Sequence, residues 1–326
     1  MGPKDAIGWT IQCDGSAAFV SNRRGVVLDW RVPDGSGERD TVVPLLDGYR
    51  TLEERMSYDG SRQSILAPWS NRIRDGRYTW DGEEYDLGPD PSGRREGLHG
   101  LVEITGFEMK EQNDHRLKLC KTLQDDGYPQ PLRVCLTYEL GHDVDRDGRD
   151  TWSLTHTTRC TNWGDSSAPV GLGWNPHILW HGDREGATID MPAGTVVRTT
   201  DDLIPLPGDT AFDQTGLARQ VIAQPSDLEQ TWTDLDVDDD GRVRMRINHA
   251  SGAETVLDAT TIGGGSGIDV IHLSTGENQR FRPGNALACE YSQFMPNAFN
   301  RDELRDALTL EPGQTRELQT SIVHRF

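Results

Sequence analysis

The sequence predicts an all-β fold, a large antiparallel β-sandwich, from three observations: frequent Asp-Gly turn dipeptides, short alternating segments between them, and little helical signal. The dipeptides are Asp59-Gly60, Asp75-Gly76, Asp81-Gly82, Asp126-Gly127, Asp147-Gly148 and Asp240-Gly241. In each, glycine accepts a positive φ and aspartate bonds its own backbone, which favours a tight turn. Between them run Arg-Tyr-Thr-Trp at 77–80, Trp-Ser-Leu-Thr-His-Thr-Thr at 152–158 and Val-Arg-Met-Arg-Ile at 243–247. Their alternation and β-branching suit half-buried antiparallel strands. The best helical candidate is Asn300 to Leu308, with Asn300 as its cap. No Pro- or Ser-rich linker, repeat or composition break divides the chain, so the expectation is one continuous domain, 1–326, built of two packed sheets.

Composition narrows the partners. With 53 acidic against 33 basic residues the formal charge is −20, a field that repels both a phosphate backbone and an anionic membrane surface. Nucleic acid and membrane are therefore not expected as partners. Cys13, Cys120, Cys135, Cys160 and Cys289 are scattered, odd in number and free of any C-x-x-C pair, which reads as reduced, structural thiols. The first residues lack a basic region followed by an apolar run, and no apolar stretch reaches about 18 residues. A soluble, cytoplasmic protein is expected; its oligomeric state cannot be read from the chain.

Several motifs look functional and are better explained structurally. Asp143 to Gly148 and Asp236 to Gly241 match the first half of a calcium-binding loop, but Leu154 and Ile247 stand where its bidentate glutamate belongs, so acidic hairpin turns are expected. The run Gly263 to Gly267 has no following Gly-Lys-Ser/Thr and reads as a flexible loop rather than a phosphate cradle. His142, His156, His181, His249, His272 and His324 show no metal-ligand spacing and read as surface or strand histidines.

Four segments place polar groups in apolar or Gly/Pro-framed surroundings. In Ala67 to Tyr78, Asn71 and Arg72 follow a rigid Pro-Trp entry, and Arg72 offers a fork of donors to hydroxyl or carboxylate oxygens. In Gly97-Leu98-His99-Gly100, flanking glycines allow close approach to a single imidazole. Gly173-Trp174-Asn175-Pro176-His177 puts an amide two residues ahead of a histidine. Glu290 follows Ala286-Leu287-Ala288-Cys289, at the end of a buried strand where partial desolvation raises its pKa and makes it a better base.

In this order the segments resemble the aldose 1-epimerase (galactose mutarotase) family over most of the chain. The matching motifs are Asn71-Arg72-Ile73 with Gly76-Arg77-Tyr78, Leu98-His99-Gly100, and Glu290 followed by Pro296-Asn297-Ala298-Phe299-Asn300. Leu228-Glu229-Gln230-Thr231-Trp232 is similar to a family segment whose acid contacts sugar hydroxyls, with Glu229 at the acid. The resemblance implies a galactose mutarotase-like supersandwich with a sugar site on one concave sheet face. It also implies a small-molecule carbohydrate as partner, with no cofactor or metal.

Anomer interconversion needs a base for the anomeric hydroxyl and an acid for the ring oxygen. The resemblance implies Glu290 as base, with Asn71, Arg72, His99, Asn175 and Glu229 binding substrate. Its acid is a histidine, yet the family pattern laid over residues 173–178 puts Asn175 at that position. An amide cannot donate a proton near neutral pH. His177, displaced along the strand or slid into place by a bulge at Pro176, could supply the acid. The other outcomes are that His99 takes over or that no general acid exists. Three functions stay open: an aldose 1-epimerase-like isomerase, a carbohydrate-binding or regulatory member that has lost mutarotation, and a cleft recruited to other proton-transfer chemistry on a hydroxylated metabolite in a specialised biosynthetic pathway.

Overall fold

The computed structural model describes residues 6–36, 41–90, 93–102, 106–262 and 269–326. Alternation becomes sheet where it was expected. The strands Leu132–Val144 and Asp150–Asn162 pair in one long hairpin, with Leu132, Val134, Leu136, Tyr138 and Leu140 all inward and buried. At its tip Asp145 accepts from the backbone N–H of Asp147 and of Arg149, each at 2.9 Å. In the second acidic turn Arg244 binds Asp238 at 2.6 Å and also Asp240. In the first turn Arg149 also pairs with Asp145 at 2.9 Å and Asp147 at 3.3 Å, so each turn carries a cation of its own, and among the described residues no group of three or more His, Cys, Asp or Glu could hold a metal ion.

A nine-stranded antiparallel sheet contains this hairpin and the C-terminal strand Thr315–Arg325. A second large sheet runs, in spatial order, Phe212–Gln214, Ala193–Val197, Glu229–Leu235, Val270–Ser274, Ala286–Ser292, Gly173–Asn175 and Ser64–Leu66. His177–Leu179 also pairs with Ala286–Ser292. One hydrophobic core joins the two sheets: Leu154, Leu318 and Ile322 from the first share it with Trp174, Leu273, Cys289 and Tyr291 from the second. The ring of His156 meets that of Trp174 across the interface, 5.2 Å between centroids. About 49% of the chain is strand and 10% helix, and the fold is the all-β antiparallel sandwich that the turn pattern implied.

The turn glycines behave as expected at five of the six dipeptides, with Gly60, Gly76, Gly82, Gly148 and Gly241 at positive φ. In Asp81-Gly82 both residues are left-handed, at φ 49° and 87°, the conformation that joins the strands Arg77–Trp80 and Glu83–Asp86 with two residues. Gly127 is different. It is not among the positive-φ residues, and a side chain there would meet the carbonyl oxygen of Asp86 at 2.7 Å.

Two expectations are corrected or left aside, and one element is new. The helix Asn300 to Leu308 breaks into two short 3-10 turns and the four-residue helix Arg305–Leu308. Asn300 caps none of them; its amide donates to the carbonyl of Arg77 and to Asn297 Oδ1. A helix not foreseen spans Leu52–Ser57, where Thr51 accepts from Glu54 N and the Glu54 carboxylate accepts from Arg50 N, close to a capping box. The run Gly263 to Gly267 lies outside the described residues. No helix of the described residues is long and apolar enough to cross a membrane.

The cysteines are not all reduced. Cys120 and Cys135 oppose each other in the register of Arg116–Leu123 with Leu132–Val144, with Cα atoms 4.1 Å apart, and form a disulfide. Cys13, Cys160 and Cys289 are free. Thiol titration of the unfolded, unreduced chain should therefore count three thiols rather than five. Closing a loop with sequence separation 15 should stabilise the fold by about 3 kcal/mol, so Cys135→Ser should lower the denaturation free energy by roughly that amount.

Candidate active site

Three strand registers assemble the site. Glu290 lies opposite His272, and His272 opposite Thr231. On the other side Gly173 faces Ser292 and Trp174 faces Tyr291, while His177 faces Ala288. That register is unbroken through Pro176, whose carbonyl accepts from Cys289 N at 2.9 Å. Asn175 therefore stands beside Glu290, and no bulge slides His177 toward it. His177 stays two residues along the strand, about 6.6 Å farther on. The row across the sheet face reads Thr231, His272, Glu290, Asn175.

Glu290 is 3% exposed. Burial drives its pKa above the ordinary glutamate value, against the opposing charges of His272 and Arg72 and hydrogen bonds from Ser292 and Asn71. Ser292 Oγ donates to Glu290 Oε1 at 3.1 Å. The result is a carboxylate with several partners and a higher proton affinity than in water, as a base requires.

The Asn71 and His99 segments hold one another. His99 N donates to Asn71 O at 2.9 Å, and Asn71 N donates to His99 Nδ1 at 3.2 Å. Both residues are left-handed, φ 54° and 61°, a conformation costly for histidine and kept by this reciprocal pair. Gly100 has no room for a side chain, since a Cβ would lie 2.1 Å from Ala67 O; the close approach that its glycine permits is one of backbone. His99 Nδ1 is 3.9 Å from Glu290 Oε2, but that nitrogen is already an acceptor. Burial, with Arg72 nearby, lowers the His99 pKa to about 3, so the ring is neutral and presents Nε2–H. The Pro296-Asn297 segment clamps the arginine loop: Asn297 N donates to Arg72 O at 2.7 Å, and Asn297 Oδ1 accepts from Arg74 N at 3.0 Å.

His177 is 1% exposed and its ring is engaged on both edges. Nδ1 lies 3.3 Å from its own strand's Asn175 O, and Nε2 lies 3.5 Å from Gln279 Nε2. With Nδ1–H turned to a carbonyl, Nε2 is left to accept. Burial, with Arg62 nearby, lowers its pKa to about 4. Gln279 is placed by Arg62, a wholly buried guanidinium that binds Gln279 Oε1 at 2.6 Å, Asp59 at 3.0 Å and Asp47 at 3.3 Å. His177 thus belongs to a wall tying the Gln279 loop to the sheet.

Asn175 is buried. Its Nδ2 donates to Ser61 O at 3.3 Å, while its Oδ1 has no partner. Glu229 accepts from Ser274 Oγ at 2.8 Å through one oxygen and meets His272 Nε2 at 3.1 Å through the other. His272 Nδ1 is 2.8 Å from Thr231 Oγ1. Burial alone would lower the His272 pKa, but the hydrogen bond and charge of Glu229, with the charge of Glu290, outweigh it and raise the value. Burial would raise that of Glu229, and the same contact with His272 lowers it instead. Both shifts favour an imidazolium–carboxylate pair.

Asn71, Arg72, Glu229, Thr231 and His272 line a cavity of about 280 Å³. A larger cavity, about 640 Å³ and lined by Arg74, Arg77, Arg95 and Arg301 with Asp75 and Glu303, contains neither His272 nor any of the seven residues singled out from sequence; polar groups of both kinds, acid and imidazole, converge in the smaller one. Of the seven residues singled out from sequence, Asn71, Arg72 and Glu229 line this cavity, Glu290 and Asn175 continue the row beyond His272, His99 stands 3.9 Å from Glu290, and His177 lies two residues along from Asn175. His272, Thr231, Ser274 and Gln279 were missed. His272 had been read as an ordinary strand histidine, and only its alternation with Ile271 and Leu273 marked it as facing away from the core.

A family model described as Aldose 1-epimerase matches residues 9–323. The uncharacterized protein YphB of Escherichia coli is 29% identical over 113 residues, 35% of this chain and 35% of that relative, so the alignment spans about a third of its length. The galactose mutarotase of Sus scrofa is 24% identical over 301 residues, 87% of this chain and 83% of the relative. Among solved structures, the GalM/aldose epimerase homologue from C. elegans has a TM-score of 0.75 at 19% identity, covering 97% of this chain and 98% of that one; the likeness is one of fold.

Removing one partner of a buried ion pair strands the others. Arg62→Met should cost about 3 kcal/mol of stability by taking from Asp59 its ion-pair partner and from Asp47 one of its cations, Arg282 remaining at 2.9 Å, measured by chemical denaturation.

Proposed function

The chain belongs to the aldose 1-epimerase family, and on that premise we propose that it interconverts the anomers of a cyclic sugar by acid–base ring opening, with Glu290 as the base. The observation that carries this reading is the buried Glu290 carboxylate in a polar row, its proton affinity raised by burial in spite of the charges and hydrogen bonds around it. Glu290 takes the proton of the anomeric hydroxyl; as the ring opens, rotation about the C1–C2 bond lets closure occur on either face. The family match over residues 9–323 supports treating the chain as one such unit.

The binding roles follow from one acceptor that lacks a protein partner and from polar groups that stand around the row. Asn175 Oδ1, buried and unpartnered, accepts from a substrate hydroxyl, because an acceptor left unpaired in the interior costs about 1–3 kcal/mol. His99 offers Nε2–H, Arg72 its guanidinium, and Glu229 its half-exposed carboxylate to further hydroxyls. His177, with both ring edges turned to protein, is assigned to the wall and not to proton transfer.

A second reading has one observation in its favour. Asn175 stands where the family keeps its acid, as in a member that binds sugars without turning them over.

Saturation-transfer NMR on a panel of aldoses separates the two. Anomer exchange faster than in buffer, cut about 10²–10⁴-fold by Glu290→Gln, is the expected result; sugar binding without acceleration would establish the binding-only reading. Glu290 must be ionised to act, and its pKa is raised. The rate should therefore fall with decreasing pH through a midpoint above the ordinary glutamate value of about 4.3.

A further inference from the structure

We infer that His272 is the proton donor to the ring oxygen in this site, in place of the imidazole that Asn175 displaces. This rests on the anomer-interconverting reading above and names the acid which that reading lacks.

The anomeric hydroxyl and the ring oxygen are bonded to one carbon, so the base and the acid must stand close together. Directly opposed side chains on a sheet face have Cβ atoms about 4.5–5.5 Å apart, which fits that demand. Glu290 has two such neighbours. One is Asn175, whose amide has no proton to give. The other is His272.

Access selects the same residue. Both rings are engaged at each nitrogen, but His272 lines the cavity and its Nε2 partner is the part-exposed Glu229 of that same lining, whereas His177 Nε2 meets Gln279 and its Nδ1 its own backbone. His99 reaches the carboxylate with a nitrogen that already accepts from Asn71.

The proton supply is built in. The groups facing His272 are Thr231 and Glu229 from one strand, Glu290 from the other, and Arg72 from the loop above. Burial works against the charged ring, yet the two carboxylates outweigh it and the one guanidinium, and with Nδ1 beside Thr231 Oγ1 and Nε2 beside Glu229 Oε1 the proton affinity of His272 is raised. Burial keeps His99 and His177 neutral instead, at about 3 and about 4.

The step balances. Glu290 removes the hydroxyl proton, the O–H electron pair forms the C1 carbonyl, and the C1–ring oxygen bond breaks with its pair passing to the ring oxygen. That oxygen displaces Glu229 Oε1 and takes the proton from His272 Nε2, while Ser274 retains Glu229 through its second oxygen. Losing the Glu229 contact lowers the affinity of the imidazole for its proton, so release is coupled to the presence of substrate. Ring closure on either face reverses each transfer.

Saturation-transfer NMR with the full chain tests this. His272→Gln should lower kcat about 10²–10⁴-fold with KM little changed, and should remove the fall in rate that the wild type shows as pH rises through the raised His272 pKa. His177→Gln should cost much less. A His272→Gln protein that keeps wild-type kcat, or a His177→Gln protein that loses as much, overturns the inference while leaving the anomer reading intact. A wild type that accelerates no aldose overturns both. Sugar binding by each variant shows that it has folded. Should His272→Gln fail to fold, NMR titration of the wild-type imidazoles decides: His272 should stay protonated where His99 and His177 are neutral, and a neutral His272 at the pH of full activity overturns the assignment.

Discussion

A carboxylate taken out of water is the constraint around which this molecule is arranged. The effective penalty for burying an ion is several kcal/mol even after relaxation, and Glu290 sits at 3% exposure. Neighbouring groups offset that cost: the Asn71 amide, the Ser292 hydroxyl, and the charges of Arg72 and His272. Each of these is secured in turn. Asn71 is pinned through His99, Arg72 through Asn297, and His272 through Thr231 and Glu229. None of it would converge if the strand Ala286–Ser292 slipped by one residue, because the side-chain period of two would send Glu290 into the core and Cys289 to the site.

The parts of this arrangement that are local in the chain were legible. Asp-Gly pairs report their own turn geometry, and an alternating run reports its strand; both need only a few adjacent residues. Asn71-Arg72, Leu98-His99-Gly100 and Glu290 stood out for the same reason, as each is a polar group inside a short apolar or glycine-framed segment. Their order along the chain pointed to the family before any contact between them was known.

What stayed hidden depends on which strand lies beside which. Val270–Ser274 gives no sign of pairing with Ala286–Ser292, so His272 could not be set beside Glu290. Cys120 and Cys135 lack a close-spaced motif, and only the pairing of their two strands brings their Cα atoms to 4.1 Å. His177 keeps the first of its two expected placements, two residues along from Asn175; the bulge at Pro176 does not form, because the register continues through that residue. The helix Leu52–Ser57 is another kind of miss. Thr51 and Glu54 carried its capping signature, but six residues are too few to show a helical period.

Arg62 has a consequence for motion. One guanidinium joins Asp47, Asp59, Gln279 and the Phe281 carbonyl, residues more than two hundred positions apart in the chain. Lifting the Gln279 loop would take two acceptors from that buried cation and carry Arg282 away from Asp47 and Glu54, its ion-pair partners at 2.9 and 2.8 Å. The loop therefore cannot open as a small independent unit, and its amides should exchange with solvent only in large cooperative excursions. On this side the cleft has a fixed rim, while the Glu229 side chain on the other strand of the row stays 40% open to water.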